Sequence, residues 1–354
     1  MEQKKSAPSR HTLSRRELVD LIPTSGLRPR RERYIGDTVV AELRELRGND
    51  VAILRDLYVF LGHLERFTAS LTGSPSAAAM AATTEFLAEQ RFSALCNRLP
   101  NLGAALRDQN TPQRVRRVLH DIRGGSLTAL VAHLDLIELD MAVPADLDRL
   151  PILARDHRKI MRNALPELDA DGYSGDLSHK QHTVALIANK WSNVDYRTPE
   201  SHARVAVDCA FAGSVSDCCM EFAALDRVIY NLISNAARYA SDEAIDLMIV
   251  PIEQDGAIHV RFAVINAITD EHRTRLEERF GGDIRSLFEG GFTTGGHGLG
   301  MRICGDIVTH GYGLDSLQTA LDHGYLGARL VADCFVAWFH WPGQDVSTSA
   351  AAAA

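Results

Sequence analysis

The sequence lacks a long apolar run, a paired-cysteine motif and an excess of positive charge. No apolar stretch approaches the roughly 18 to 20 residues that cross a bilayer, and the N-terminal MEQKKSAPSRH lacks the apolar core of a signal peptide. The six cysteines form no CxxC motif and no cysteine–histidine ladder, which argues against a zinc site and a disulfide framework. We therefore expect a cytoplasmic protein without an integral membrane segment.

The composition is that of an ordinary globular protein. Hydrophobic residues make up 45% and charged residues 24% of the 354 positions, and the length suits two or three domains. The 38 Lys and Arg against 46 Asp and Glu give a net charge of −8, which argues against nucleic acid as the main partner.

The first hundred residues show basic and then helical patterns. Residues 1–35 are rich in Lys and Arg and poor in apolar side chains, which predicts a solvated flexible arm without a core of its own. An arm that binds a membrane surface or a partner is the alternative reading. Residues 36–108 are predicted to be a helical input region. Apolar residues recur at helical spacing over 39–67 and 77–102, on either side of Gly73-Ser74-Pro75.

Residues 109–172 predict two long helices with a short connection. Asn110-Thr111-Pro112 is a typical helix start, and apolar residues then recur every three or four positions to about residue 141. A break containing Pro144 precedes the second helix. Because an isolated helical hairpin leaves one apolar stripe exposed, we expect the hairpin of a second chain to complete a dimeric four-helix bundle.

Residues 173–346 have the pattern of a two-layer α/β sandwich, and residues 347–354 are set aside as a tail. Strand patterns at 245–252 and 258–265 flank Gln254-Asp255-Gly256, which is a hairpin turn signal.

A helix predicted over 220–239 carries the first chemical motif. Asn231, Asn235 and Arg238 recur three to four positions apart and share one face. Two amides and one cation on a helix face suit a ligand with phosphates and a metal, and a polar surface stripe is the alternative reading.

A glycine-rich loop at 281–300 then enters a helix. Glycine permits close backbone approach, and the N–H groups at a helix start favour an anion, so polyphosphate is the expected guest. The loop is not a Walker motif, because no Gly-Lys-Ser/Thr follows, and it does not follow a strand as the Rossmann motif requires. A merely flexible loop is the alternative reading.

Over roughly residues 110–343, the order and spacing of these segments resemble a bacterial two-component sensor histidine kinase. That family joins a dimerisation and phosphotransfer hairpin to an ATP-binding domain of the gyrase, Hsp90, kinase and MutL (GHKL) type. The resemblance implies ATP and Mg²⁺ as cofactors, with Asn231 and Asn235 on the phosphates and metal, Asn235 as the metal ligand, Arg238 in the usual lysine place and Tyr239 against adenine. It also implies cofactor contacts from a phenylalanine motif and the second glycine box: Phe288, Phe292, Thr293, Thr294, Gly296, Gly298, Leu299 and Gly300.

His120-Asp121-Ile122-Arg123 resembles the phosphoacceptor box of the same family. A lone helical histidine is ordinarily a bystander, but its place on the hairpin ahead of the amide helix predicts a nucleophile. One ring nitrogen of His120 attacks the γ-phosphoryl group, and Asp121 accepts or orients the proton on the other nitrogen. The resemblance further implies transfer of the phosphoryl group to an aspartate on the receiver domain of a response regulator.

Two departures from the family pattern carry expectations. The family has an aspartate at the adenine amino group, where this chain has Asn266, whose carbonyl oxygen accepts the same hydrogen bond without the charge. We therefore expect weaker ATP affinity. Gly124 and Gly125 stand where the family usually has a threonine or asparagine and a proline, which predicts a locally soft helix and weak phosphatase activity.

The predicted architecture is therefore multidomain, with an N-terminal helical region, an antiparallel hairpin in a dimeric bundle, and a C-terminal α/β sandwich. The predicted function is autophosphorylation of His120 from Mg·ATP and transfer to a response regulator. The alternative is a non-catalytic histidine phosphotransfer or scaffold protein with a degenerate ATP-binding domain.

Overall fold

A computed structural model describes residues 13–22, 24, 26–29, 34, 40–71, 74, 76–103, 111–192, 194–198, 201–281, 283–290 and 299–345. A helical region precedes an α/β domain, as the sequence predicts. In these ranges no helix is long and apolar enough to cross a membrane.

The helices and strands of the described residues follow one another in a mostly helical and then a mixed order. The helices of the first half are α1 (Arg15–Leu21), α2 (Gly48–Ser70), α3 (Ser76–Glu89), α4 (Phe92–Cys96), α5 (Gln113–Arg123), α6 (Gly125–Glu138), α7 (Pro144–Ala164) and α8 (Ala170–Asp176). The elements of the second half are β1 (His179–Thr183), α9 (Val184–Trp191), β2 (Val194–Thr198), β3 (Ser201–Cys209), β4 (Ser214–Cys218), α10 (Cys219–Tyr239), β5 (Ala244–Gln254), β6 (Ala257–Ala267), α11 (Asp270–Phe280), α12 (Gly300–Tyr312), α13 (Leu317–Asp322), β7 (Leu326–Val331) and β8 (Cys334–Gly343).

The first arm of the hairpin is two helices and not the single long helix that the apolar spacing predicts. Gly124 ends α5 and precedes α6, with φ −83° and ψ −176°, which is extended backbone. Because glycine is a poor helix former, two adjacent glycines are enough to interrupt a pattern that is otherwise continuous. His120 and Asp121 therefore lie in the last turn of α5, immediately before the break.

The apolar stripe of the hairpin is already covered within the chain. Helix α7 packs along α2 and against α6, and α3 contacts both α6 and α7. The side chains of Leu130, Leu134, Leu150 and Met161 are buried without a second chain. The structure therefore gives an intramolecular bundle, and the dimeric four-helix bundle predicted from an exposed stripe is not confirmed.

The α/β domain is built on a six-stranded sheet in the order β2-β3-β5-β6-β8-β7, in which β3 and β5 are parallel and the other neighbours antiparallel. The predicted hairpin at Asp255-Gly256 joins β5 to β6. Strands β1 and β4 form a separate antiparallel pair. Side chains alternate between the two faces with a period of two. On β6, Phe262 and Val264 face the main core with α10 and α12, and Ala263 and Ile265 face the opposite side.

That opposite side, the outer sheet face, is covered by an N-terminal strap that we define as residues 13–22. Ser14 and Glu17 form a capping box that starts α1, and Leu18 and Ile22 are buried against the outer face. For these residues the structure differs from the expected solvated arm. A short amphipathic helix finds its apolar partner some 230 to 320 positions later in the chain, in strands β5 to β8.

Candidate functional site

Helices α10 and α12 bring the predicted amides and the glycine-rich helix start together. Asn231 and Asn235 are one helical turn apart on α10 and are half-buried. A Cβ placed on Gly300, the first residue of α12, would lie 3.8 Å from both the Asn231 Oδ1 and the Asn235 Nδ2. Leu299 is the residue before this helix start and is half-buried. The amide face of α10 therefore faces the N-terminus of α12, where backbone N–H groups favour an anion.

Cys304 lies one turn beyond Gly300 and closes the inner end of this site. Its thiol is fully buried beside Asn231, and burial raises the pKa of Cys304 to about 12. The thiol is therefore protonated at neutral pH, and its role here is packing.

Asn266 approaches the site from the sheet. It shares the inner face of β6 with Phe262 and Val264, and it is buried. Its Nδ2 donates to the Ala267 carbonyl oxygen at 3.1 Å, and within the described part of the chain no donor reaches its Oδ1. The amide oxygen thus keeps the acceptor capacity that the sequence assigns to it.

The other residues predicted to contact the cofactor are arranged differently. Tyr239, in the last turn of α10, is stacked on the imidazole of His272 from α11, with ring centroids 4.4 Å apart and planes 12° apart. Arg238 is exposed, and Phe288 is buried in the core. Sequence reasoning missed His272, because no local spacing marks it and only the fold brings α11 against Tyr239. Phe292, Thr293, Thr294, Gly296 and Gly298 lie outside the described residues.

Helix α5 places His120 against the α/β domain. Asp121 pairs with Arg227 of α10, with Arg227 Nη2 2.8 Å from Asp121 Oδ2, and these two side chains are only 5% and 11% exposed. One turn earlier on α5, Arg117 pairs with Asp306 of α12 at 2.6 Å. The His120 side chain, 19% exposed, has its Nδ1 3.8 Å from Asp121 Oδ1. The predicted nucleophile and base are therefore adjacent in space as well as in sequence.

Lys190 of α9 joins the hairpin to α10 at a second point. Its Nζ lies 2.5 Å from Asp156 of α7 and 2.5 Å from Asp226 of α10, and it sits 4.3 Å from the centre of the Tyr230 ring. Burial lowers the pKa of Lys190, but the two carboxylates outweigh burial and raise it above its usual range. Sequence reasoning missed Lys190, Arg227 and Asp306, because their partners are remote in the chain and no local spacing marks them.

The amide face of α10 and the helix start of α12 have groups that could hold the phosphates of a nucleoside triphosphate and a magnesium ion. The amide oxygen of Asn235 is a hard oxygen ligand of the kind that Mg²⁺ takes. Across the described residues no three His, Cys, Asp or Glu side chains form a metal-binding group. Asn235 would hold such an ion through its amide oxygen, and the ion would supply charge neutralisation at the phosphates.

A family comparison agrees with this reading. Residues 221–328 match the family described as Histidine kinase-, DNA gyrase B-, and HSP90-like ATPase. The matched segment contains α10, the glycine-rich region and α12, and it agrees with the ATP-binding domain that the amide helix and the glycine box predict. No curated protein sequence matches the chain.

Two solved structures align with the chain. Full-length ShkA in complex with AMPPNP is 15% identical over 63% of this chain and 42% of that chain, with a TM-score of 0.28, so this chain spans less than half of ShkA. The Acinetobacter baumannii histidine kinase AdeS is 13% identical over 62% of this chain and 96% of that chain, with a TM-score of 0.26. Because both TM-scores are below 0.5, the ATPase-type domain is inferred from the family match and the site geometry alone.

Proposed function

We propose, on the premise that residues 221–328 form an ATPase domain of the histidine kinase, gyrase B and HSP90 family, that the chain is an ATP-dependent protein-histidine kinase which phosphorylates its own His120. The observation that carries the proposal is the contact of α5 with α10 and α12. It places His120 and Asp121 beside the helices that present Asn231, Asn235 and Gly300.

Different residues of the chain have separate roles in this phosphoryl transfer. Asn231 and Asn235, with the N–H groups at the start of α12, hold the phosphates and fix the metal, which supplies charge neutralisation when it is bound. The side-chain oxygen of Asn266 accepts a hydrogen bond from the amino group of adenine. Asp121 orients the His120 ring and takes up the proton from Nδ1, so that Nε2 is the attacking nitrogen. Their 3.8 Å separation must shorten by about 1 Å for a hydrogen bond, as is usual for catalytic groups before substrate binds.

The proposed acceptor of the phosphoryl group is an aspartate on the receiver domain of a response regulator. The support is the resemblance of the phosphoacceptor box and its position at the end of α5. The two residues that follow the box, Gly124 and Gly125, have no side chains that would obstruct a docking domain. Homodimerisation through the hairpin stays a prediction, which sedimentation of the purified chain tests.

Incubation with γ-labelled ATP and Mg²⁺ tests the kinase activity. We expect label on the protein that is lost in acid, kept in base, and absent from His120→Gln. The matched control is His179→Gln, which changes an exposed histidine of β1 and keeps the label. Label that resists acid, or that persists in His120→Gln, contradicts the proposal.

A second candidate is favoured by one observation, the His272 ring that covers one face of Tyr239. If adenine does not bind at Tyr239, the chain acts as a histidine phosphotransfer or scaffold protein that receives its phosphoryl group from a phosphorylated receiver. Titration with a fluorescent ATP analogue separates the two candidates. Absence of binding at millimolar analogue, together with labelling of His120 by a phosphorylated receiver, supports the second.

A further inference from the structure

Two side chains that flank His120 reach the α/β domain of their own chain. Arg117 and Asp121 are four positions apart on α5, so they share one helix face, and His120 lies three positions after Arg117 on the same side. Arg117 pairs with Asp306 on α12, and Asp121 pairs with Arg227 on α10. The face of α5 that carries the nucleophile is therefore the face that contacts the two helices of the nucleotide site.

Consecutive residues of α10 bind both arms of the hairpin. Asp226 reaches α7 through Lys190 and Asp156, and Arg227 reaches α5 through Asp121. Asn231 follows Arg227 by one turn and Asn235 by two, so the ion pair with Asp121 and the two amides lie in one row along α10. The position of His120 is thus fixed relative to the phosphate-binding amides by contacts within one chain.

These contacts also orient the carboxylate of Asp121. Arg227 binds its Oδ2, and its Oδ1 is the oxygen nearest the His120 Nδ1. Without the Arg227 ion pair, the Asp121 side chain is free to adopt other rotamers, in which Oδ1 does not face the His120 ring.

Resting on the proposed function, we infer that His120 is phosphorylated by the nucleotide bound to the same chain, and that Arg227 is the residue that positions Asp121 for this step. The Nε2 lone pair of His120 forms the N–P bond, the P–O bond to ADP breaks, and its electron pair leaves on ADP. The ring then carries a positive charge, which it loses when the Nδ1 proton passes to Asp121 Oδ1. Arg227 pairs with Asp121, the general base of this step, so its role is to position that carboxylate.

Complementation tests the intramolecular route. His120→Gln, with an intact nucleotide site, is co-expressed with Asn235→Ala, with an intact acceptor, so that any oligomer contains both chains, and the two chains carry tags of different size. We expect wild type to be labelled and the mixed sample to stay unlabelled on both chains. Label on the Asn235→Ala chain overturns the inference but leaves the proposed function standing, whereas an unlabelled wild type refutes the proposed function itself.

Kinetics of two substitutions at Arg227 test its positioning role. For Arg227→Met we expect the rate of labelling at saturating ATP to fall about 10- to 100-fold while the KM for ATP stays within about twofold. For Arg227→Lys, which keeps the charge, we expect partial recovery and a folded chain even if Arg227→Met folds poorly. The control is Arg275→Met, which removes an exposed cation of the same domain that pairs with Glu271. A parallel loss in the rate and in ATP affinity for both substitutions, or no loss in either, overturns the role.

Discussion

The positive charge of Lys190 stabilises a buried cluster of ionised side chains. It is buried between Asp156 and Asp226, which belong to the hairpin and to α10, and it lies over the Tyr230 ring. Taking three charges out of water is costly, so such a cluster is stable only while it is complete. This second contact between the hairpin and α10 therefore depends on a single ammonium group.

For Lys190→Met we expect a loss of about 3 to 5 kcal/mol in the free energy of unfolding, because two buried carboxylates then face each other without a cation. Urea denaturation followed by circular dichroism measures it. The control is Lys180→Met, which removes the same charge from an exposed position of β1, with an expected change below about 0.5 kcal/mol. Equal losses in the two variants contradict this account.

His272 is the residue that most directly limits access to Tyr239. Burial and then Arg275 lower the pKa of His272, so the ring that stacks on Tyr239 is neutral at pH 7. We expect His272→Ala to bind a fluorescent ATP analogue more tightly than wild type, by roughly 3- to 10-fold, because a stacking contact of about 0.5 to 1.5 kcal/mol no longer competes with the base. Weaker binding by the variant shows instead that His272 helps to hold the nucleotide.

At the residue scale, the sequence predicts those site residues that stand at a recognisable spacing from one another in the chain. The one-turn spacing of Asn231 and Asn235 and the adjacency of His120 and Asp121 are visible in the chain itself. The partners Arg227 and Lys190 are not, because an ion pair across more than 30 positions leaves no periodic trace. His272 is of the same kind, since only the fold brings α11 against Tyr239.

At the scale of elements, the strap shows how a short helix is held to a sheet. Arg261 of β6 is buried, and burial lowers its pKa to about 10. It donates to the carbonyl oxygens of Leu18 at 3.0 Å and Ile22 at 2.8 Å, and to His340 Nε2 at 2.9 Å. A cation at the C-terminal end of α1 satisfies carbonyl groups that a helix end leaves without partners.

We expect Arg261→Met to release the strap, because α1 loses the donors to its last carbonyl groups, at a cost of about 1 to 3 kcal/mol. Faster tryptic cleavage after Arg15 and Arg16, followed by mass spectrometry, reports the release. Arg329→Met is the matched control, since the exposed Arg329 also donates to this helix end, at the Leu21 carbonyl oxygen, but remains in water. If the control is cleaved as fast as Arg261→Met, burial of the guanidinium is not what holds the strap.

The sequence predicts that a helix or strand exists better than it predicts where the element ends and what it packs against. The spacing of apolar residues predicts α7, α10 and the β5–β6 hairpin, because each has a periodic buried face. The break at Gly124 was underestimated, since apolar periodicity continues across it and only the local backbone preference of two glycines interrupts the helix. The strap was missed because seven helical residues carry too short a pattern among many basic ones.

At the scale of the whole molecule, several buried histidines tie stability to pH. Burial lowers the pKa of His157 to about 3 and that of His259 to about 4, and burial together with nearby cations lowers that of His182 to about 4. In the unfolded chain these groups titrate near 6.5. The unfolded state therefore binds more protons below pH 6.5, so their contribution is complete above that pH and is lost as pH falls towards 4.

We accordingly expect the free energy of unfolding to fall between pH 7.5 and pH 5, with a contribution of about 2 kcal/mol from His157 at pH 5. Urea denaturation at the two pH values measures the difference. His157→Gln removes the titrating group and is expected to reduce the difference, whereas His179→Gln, at an exposed site, is expected to leave it unchanged. A variant pair with identical pH dependence contradicts the assignment to His157.

The place of the strap in the fold also has a consequence for synthesis on the ribosome. Leu18 leaves the ribosome 243 residues before Arg261, the side chain that holds its carbonyl oxygen. At 5 to 20 residues per second this interval is roughly 12 to 50 s. During that time α1 has no sheet to cover, so its apolar side chains stay exposed on the nascent chain, where chaperones can bind them.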